Sequence, residues 1–383
     1  KMTTLNKTFL AAALLSALGT ACAADVAIYG RVDTGLIFNH NAGDSETAGN
    51  TLSLNSGTHT ATRWGLRGNE DLTADTKVIF QLENRFESDT GAFKEGGRMF
   101  GGQAWVGLRN TALGELTMGR MAGVSSGSGP YDLQYYMDAF GGGTNGTGNA
   151  PVKSSRYDNM VTWRTPMWAE FQATFQYSME NDGSNEGREN TSDVNRFYAA
   201  GLRYNNGPLN LVGIYEGLTW GHKESTKDTG ATTSKKAVTL GGSYKFEPVT
   251  VYFQTQYYNG VNSLDGFSAK YVAAVKNADG SEKTPATPAG SIKGYGIYAG
   301  TQFWLSGLSS WQSMVYWKDY KLERAGDSFD GSSIGVATKY IYRPSKTVDM
   351  YVGAGFSQWD RVKKDKIYTD KNVNVFSGVT KYF

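Results

Sequence analysis

The sequence has a single cysteine, little proline and, beyond its first two dozen residues, no long apolar run. Each shortage removes a class of structure. Cys22 is the only cysteine, so no intrachain disulfide can form, and a chain trimmed after Ala23 carries no thiol for nucleophilic or metal chemistry. No later stretch approaches the roughly 18 apolar residues that a membrane helix needs. A chain that crosses a membrane without one must close its strands into a barrel, because lipid offers backbone polar groups no partners. An excess of one charge is also missing. Lys plus Arg is 38 and Asp plus Glu 36; taking away Lys1 and Lys7 leaves 36 against 36, a balance that argues against a nucleic-acid partner.

The first residues read as an address rather than as structure. Lys1 and Lys7 precede and enter an apolar run over 9–18, followed by small residues up to Ala24, the layout of a secretory signal. Residues 1–23 are therefore expected to be removed, with the cut after Ala23 or Ala24, and 24–383 to form one domain. Lipid attachment at Cys22 competes with this reading, but Gly19 stands where a lipoprotein signal carries an aliphatic residue.

What is abundant suits an exported barrel: 48 Gly, 23 Tyr, 18 Phe and 9 Trp. Aromatic residues serve lipid interfaces, while glycine and polar residues serve turns and a wet lumen. A secreted soluble β-sandwich array could share these totals, so the pattern along the chain decides. Over 75–88, Val78, Phe80, Leu82 and Phe86 share one parity, and Lys77, Gln81, Glu83, Arg85 and Glu87 the other. That is the period of a strand with one greasy and one wet side. The same rhythm predicts strands at 25–38, 58–70, 75–88, 98–110, 113–121, 156–165, 169–179 and 195–206. The second half adds 209–220, 236–247, 249–259, 292–305, 309–321, 332–343, 346–357 and 372–383.

The connections fall into two alternating kinds. Short ones carry turn signals, such as Gly68-Asn69-Glu70-Asp71, Asn205-Asn206-Gly207-Pro208 and Arg343-Pro344-Ser345. Long polar ones cover 39–57, 88–97, 122–155, 180–194, 221–235, 260–291, 323–331 and 360–371. This asymmetry predicts an all-β fold of sixteen antiparallel transmembrane strands closed into a barrel, with short turns and termini periplasmic and long loops external. Val373, Val375, Val379 and Phe383 share a parity in the last segment, and since a barrel leaves no edge, that strand is expected to pair with the first.

Four passages resemble the general porins of Gram-negative bacteria, particularly the trimeric porins of β-proteobacterial type. They are Ile28-Tyr29-Gly30-Arg31-Val32-Asp33-Thr34-Gly35-Leu36, Arg63-Trp64-Gly65-Leu66-Arg67-Gly68-Asn69-Glu70-Asp71-Leu72, Gln103-Ala104-Trp105-Val106-Gly107-Leu108 and Arg156-Tyr157-Asp158-Asn159. The resemblance implies a homotrimer in the outer membrane, among its lipids and lipopolysaccharide, with each barrel passing ions and small hydrophilic solutes passively. Phe383 resembles the terminal signature that the barrel-insertion machinery reads. In this family the third long loop, here 122–155, folds into the barrel and narrows it; it contains Asp132, Asp138 and the glycine-rich run 141–149.

Wall arginines facing those acids would set a transverse field that sorts solutes by charge. Arg63 and Arg156 match the family's constriction arginines by their flanking motifs, and parity agrees. Arg63 and Arg67 alternate with Trp64 and Leu66, and Arg156 shares a parity with Asp158 and Thr162, opposite Val161 and Trp163. The family's third arginine directly precedes the Gln103-Ala104 stretch, where this chain has Gly102; Arg98, four residues earlier on the same parity, is the candidate to replace it. That departure leaves the strength of anion selectivity open. Arg31, Asp33, Arg67, Glu83 and Arg85 are further lumen candidates.

Little points to catalysis. His40, His59 and His222 fall in or beside long loops, with no serine set beside them as a nucleophile and base require, and His222 with Glu224 is too short a constellation for a metal site. Gly294-x-Gly296 lies in a strand with no following helix, so it is no nucleotide fingerprint. The acids of 182–186 match no specific calcium loop, and no cofactor is implied. A general diffusion porin is the leading expectation, beside a substrate-specific channel for sugars or organic anions and a barrel serving as surface anchor or adhesin.

Overall fold

The computed structural model describes residues 25–44, 49–140, 152–181, 188–221, 234–265, 267–269, 275–276, 282–284, 289–324, 327–363 and 366–383. The expected leader over 1–23, the glycine-rich run 141–149, the acids of 182–186 and the pair His222 and Glu224 lie outside them. The strands are β1 Asp25–Gly43, β2 Gly49–Ser56, β3 Arg63–Asp71, β4 Thr76–Arg85, β5 Gln103–Asn110, β6 Gly114–Ala122, β7 Arg156–Arg164 and β8 Phe171–Ser178. They continue as β9 Arg196–Asn206, β10 Leu209–Thr219, β11 Lys235–Phe246 and β12 Val249–Val261. Short pairs β13 Ser263–Leu264 with β14 Phe267–Ser268, and β15 Val275–Lys276 with β16 Glu282–Thr284, stand apart from the main sheet. The wall is completed by β17 Gly290–Ser306, β18 Ser309–Arg324, β19 Asp327–Ser345, β20 Val348–Lys363 and β21 Lys366–Tyr382.

Each wall strand pairs antiparallel with its sequence neighbour, and β1 pairs with β21 from Arg31↔Tyr382 to Gly43↔Asp370, closing the barrel. Backbone bonds between Gly30 and Phe383 (2.9 and 3.1 Å) finish the seam. The expected sixteen-stranded antiparallel barrel is therefore the observed one. Its main sheet has seventeen segments because the second wall strand is interrupted. β2 pairs with one half of β1 (Thr34↔Ser56 to Asn41↔Gly49) and β3 with the other (Asp25↔Asn69 to Arg31↔Arg63).

Asp33 supports the excursion over 57–62 that separates β2 from β3. Its carbonyl accepts from Gly57 N at 2.9 Å and Thr62 Oγ1 at 3.0 Å, and its carboxylate from His59 N at 3.1 Å. Gly57, at φ +72°, makes the turn that a β-carbon would strain.

Alternation gives the wall its two faces. On β12, Gln254 and Gln256 are buried inside, whereas Phe253 and Tyr257 are 48% and 55% exposed. Outward aromatics gather beside the short turns, among them Trp168, Phe171, Phe246, Trp311 and Tyr342, as a girdle at a lipid interface requires.

Three expectations are corrected. The first long connection, expected over 39–57, contains β2: its polar residues conceal an alternation in which Leu52 and Leu54 face outward, and the strand expected from 58 resumes only at Arg63. The loops expected over 323–331 and 360–371 are mostly hairpin, since β18 and β19 pair out to Arg324↔Asp327 and β20 and β21 out to Lys363↔Lys366. A strand rising beyond the apolar zone is as polar as a loop, so polarity alone cannot separate the two. Finally, the strand expected from 98 begins at Gln103, which leaves Arg98 off the wall.

Candidate functional site

Charged side chains concentrate on the inner face of β3 to β7 and on the connection 86–102. Arg63 and Arg85 stand in register on β3 and β4. Glu83, only 1% exposed, shares their face. It accepts from Arg63 Nη1 at 3.3 and 3.1 Å, from Arg85 Nε at 3.5 Å and from the Tyr29 hydroxyl at 3.1 Å. A carboxylate so enclosed holds its charge only because several charge-assisted bonds replace water. From β7, Arg156 donates to Ser128 Oγ at 2.7 Å and stands 3.1 Å from Glu95 Oε1. Arg85 also approaches Glu95, at 3.9 Å.

Arg98 donates from Nη1 to both Asp158 oxygens, at 2.8 and 2.7 Å. It does so from the loop, after the short turn Glu95–Gly97, and not from the barrel strand that its parity implied. Gly102, where the resemblance expects an arginine, leaves room for Glu83: a β-carbon there would come within 2.6 Å of Glu83 Oε1 and 3.0 Å of its carbonyl.

A cation that parity did not identify completes the group. Arg120 on β6 donates to Asp158 Oδ1 at 2.6 Å and to the Gly101 carbonyl at 2.9 Å, and stands 3.9 Å from Glu95. Strict alternation puts Arg120 with the exposed Leu116 and Met118. The β6–β7 register shifts between Gly119 and Met121, however, and Gly119 has φ +136°. A bulge of this kind re-aims the side chain beside it. The glycine was the only local signal, and Glu95 gave none.

Residues 123–140, after β6, lie against inner-face side chains. Val124, Leu133 and Met137 bury with Trp105, Tyr157, Met160, Phe197 and Ile214 in one apolar cluster. Polar ties reach strands farther round the wall: Val124 N to Gln176 at 2.9 Å, Ser125 Oγ to Glu216 at 2.5 Å and Gln134 Nε2 to Gln254 at 2.6 Å. Glu216 is bonded in turn by Lys235 Nζ at 2.9 Å.

Of the two loop acids singled out from the sequence, Asp138 accepts from the Tyr298 hydroxyl at 2.8 Å and from Phe140 N at 2.9 Å, with Lys153 at 3.9 Å. Asp132 accepts from Gly127 N at 3.1 Å and Gln134 N at 3.2 Å, and burial pushes its carboxyl up to about 7 against those two bonds. Neither carboxylate forms an ion pair with Arg63 or Arg156; those arginines pair with Glu83 and Glu95.

Arg63, Asp132 and Asp138 do line a common cavity of about 630 Å³, together with Arg31, His59 and Arg343. A second cavity, of about 390 Å³, shares Arg31 and Arg63 with it and adds Arg67 and Glu83. Asp33 opens into neither: it is fully buried, and its carboxylate accepts from Tyr351, His59 N and Thr380. His59 takes a contact from Lys339 at Nδ1 (3.0 Å) and turns Nε2 toward Asp349 (3.6 Å). Among the described residues no cluster of three or more His, Cys, Asp or Glu suits a metal ion.

A closed barrel with a lipid-compatible outer face and charged cavities on its inner face defines an outer-membrane channel rather than an enzyme. Comparison with known proteins gives the family. The model of the Gram-negative porin family matches residues 10–361, and the chain belongs to that family. An outer membrane porin protein of Bordetella pertussis is 36% identical over 268 residues, covering 64% of this chain and 67% of that one. Outer membrane porin protein 32 of Delftia acidovorans is 31% identical over 253 residues, 63% of this chain and 66% of that one. Among solved structures, an anion-selective porin from Comamonas acidovorans superposes over 94% of this chain and all of its own, with a TM-score of 0.63 at 18% identity. The trimer form of OmpT from Vibrio cholerae gives a TM-score of 0.58 at 14% identity, over 94% of this chain and all of that one.

Proposed function

We propose that this porin is a general diffusion channel that favours anions, with its narrowest level where residues 123–140 lie beside the arginine-bearing wall. The carrying observation is an imbalance of fixed charge. Arg31, Arg63, Arg85, Arg98, Arg120 and Arg156 gather around Glu83, Glu95 and Asp158, six guanidiniums to three carboxylates. The loop acids offset little of it, Asp138 being held by Tyr298 and Lys153 and Asp132 having its carboxyl pushed up by burial. Fixed charge of one sign in a narrow passage raises the local concentration of the opposite ion.

The anion selectivity named for the Comamonas porin and the trimer named for the Vibrio protein support the same reading. The further elements of the proposal are a homotrimer of separate pores, a leader removed on export, long loops outside the cell among lipopolysaccharide, and Phe383 as the residue read during insertion. The test is single-channel recording in planar bilayers under a potassium chloride gradient. Steps in groups of three with a reversal potential favouring chloride are expected; a potential favouring potassium overturns the anion reading, and absence of conductance leaves the barrel an anchor.

A further inference from the structure

The cavity behind residues 127–140 has more than charge to offer. We infer that it is a binding site for aromatic carboxylates, in which Arg31 takes the carboxylate and Tyr135, with the rings beside it, takes the aromatic face. The inference rests on the barrel's being an open, anion-passing channel, and it goes on to assign a solute class.

Three observations carry it. The first is size. About 630 Å³ lies within the range of sites that hold small organic molecules, roughly 300–1,000 Å³, and is far more than a lone inorganic ion requires. The second is the lining. Tyr135 and Tyr136 come from the loop, their rings edge to face at 5.8 Å and 85°, and Tyr252 and Trp304 come from β12 and β17. Tyr135 is 65% exposed, so one ring stands uncovered where a solute would pass. Tyrosine and tryptophan rings accept another aromatic edge-on or offset, a preference that an aliphatic ring of the same size does not satisfy.

The third observation is the state of the charges. Every carboxylate in the cavity already has partners. Asp349 is bonded by the Tyr382 hydroxyl at 3.2 Å and approached by Arg343 at 3.4 Å; Asp138 and Asp132 have the partners described above. Arg343 is committed to Asp349 and to Ser310, and its guanidinium lies 5.1 Å over Trp304. Arg31 differs. Its Nε donates to the Ala61 carbonyl at 3.1 Å, and among the described residues it forms no ion pair. It lines both cavities, so its terminal nitrogens are the uncommitted donors at the junction, and a planar guanidinium presents a pair of them in the geometry a carboxylate accepts. A neutral sugar would leave this charge unused, and an aliphatic acid would leave the rings unused.

The test compares benzoate with cyclohexanecarboxylate, two monoanions of similar size, as blockers of single-channel chloride current. Benzoate is expected to block at about fivefold lower concentration, the effect of one aromatic pair. Tyr135→Leu, at an exposed position, should abolish that difference, so that the two acids block at the same concentration. Arg31→Gln should weaken block by both acids. Equal block by the two acids in the unaltered porin overturns the inference, as does benzoate block that survives Tyr135→Leu unchanged. Selectivity for potassium in the same recordings would instead remove the anion-channel reading beneath it, so the two failures are distinguishable.

Discussion

The two sides of the barrel are built differently. β17 to β21 are 16 to 19 residues long and pair with few breaks. β3 to β8 are 8 to 10 residues long, and on that side the chain leaves the sheet over 57–62, shifts register at Gly119 and departs again before Gln103. The regular side is scaffold, with alternation deciding which side chain meets lipid. The irregular side holds Arg63, Arg85, Arg98, Arg120 and Arg156 together with Glu95. Departures from ideal strand geometry collect where side chains must be aimed at function.

The difference can be tested by disturbing each side in turn. The largest effect is expected from a charge on the outer face of the regular side. Val336→Arg, halfway along β19 at a residue 48% exposed, should cost about 2–4 kcal/mol in reversible unfolding from vesicles. Gln312→Arg, on the inner face of β18 where the residue lines the aqueous cavity, should cost less. An equal loss at both positions would mean that the assignment of faces is wrong.

Next in size is Gly119→Ala. The residue has φ +136°, and a β-carbon would stand 2.2 Å from the Ala104 carbonyl, so the bulge should straighten or strain at a cost of about 1–3 kcal/mol. Conductance recordings should then show weaker anion preference, because Arg120 loses its aim at Asp158. Unchanged selectivity in a folded variant would leave the bulge without a role.

Removing charge comes third. Arg156→Gln should lower the chloride-to-potassium permeability ratio by about fivefold, the equivalent of about 1 kcal/mol of attraction. Lys293→Gln, whose ammonium pairs with Glu323 on the outer surface at 2.8 Å, should leave the ratio unchanged.

The smallest expected effect is a pH dependence. Because the Asp132 carboxyl is pushed up to about 7, it is charged above that pH and neutral below. Anion preference should therefore increase modestly as pH falls through 7, and Asp132→Asn should remove the step. A step in the opposite direction would mean that another group is titrating.

The same contrast explains what could be read from the sequence. Period-two alternation revealed the regular hairpins, and it gave Arg63 and Arg156 their inward parity. It failed wherever backbone geometry broke the period. Arg120 escapes alternation because a single bulge inverts its side, and Arg98 carries strand parity although the chain has not yet entered the strand there. β2 reads as loop although Leu52 and Leu54 alternate, since the residues around them are as polar as a turn. Glu95, seated in a short turn of a connection, has no periodic context at all, and only the folded chain brings it beside Arg156.

The seam at Asp33 also bears on how the barrel is made. Its carboxylate is bonded by Tyr351 and Thr380, partners 318 and 347 residues away in sequence, whereas every other wall pairing joins neighbouring hairpins. Local hairpins form quickly, and the longest loop carries the greatest entropic cost of closure. Until that junction zips, β1 and β21 are two open edges able to pair with any other unfinished chain. Asp33 thus joins the two ends of the wall, at the junction where a chain that could still join a neighbour becomes a finished barrel.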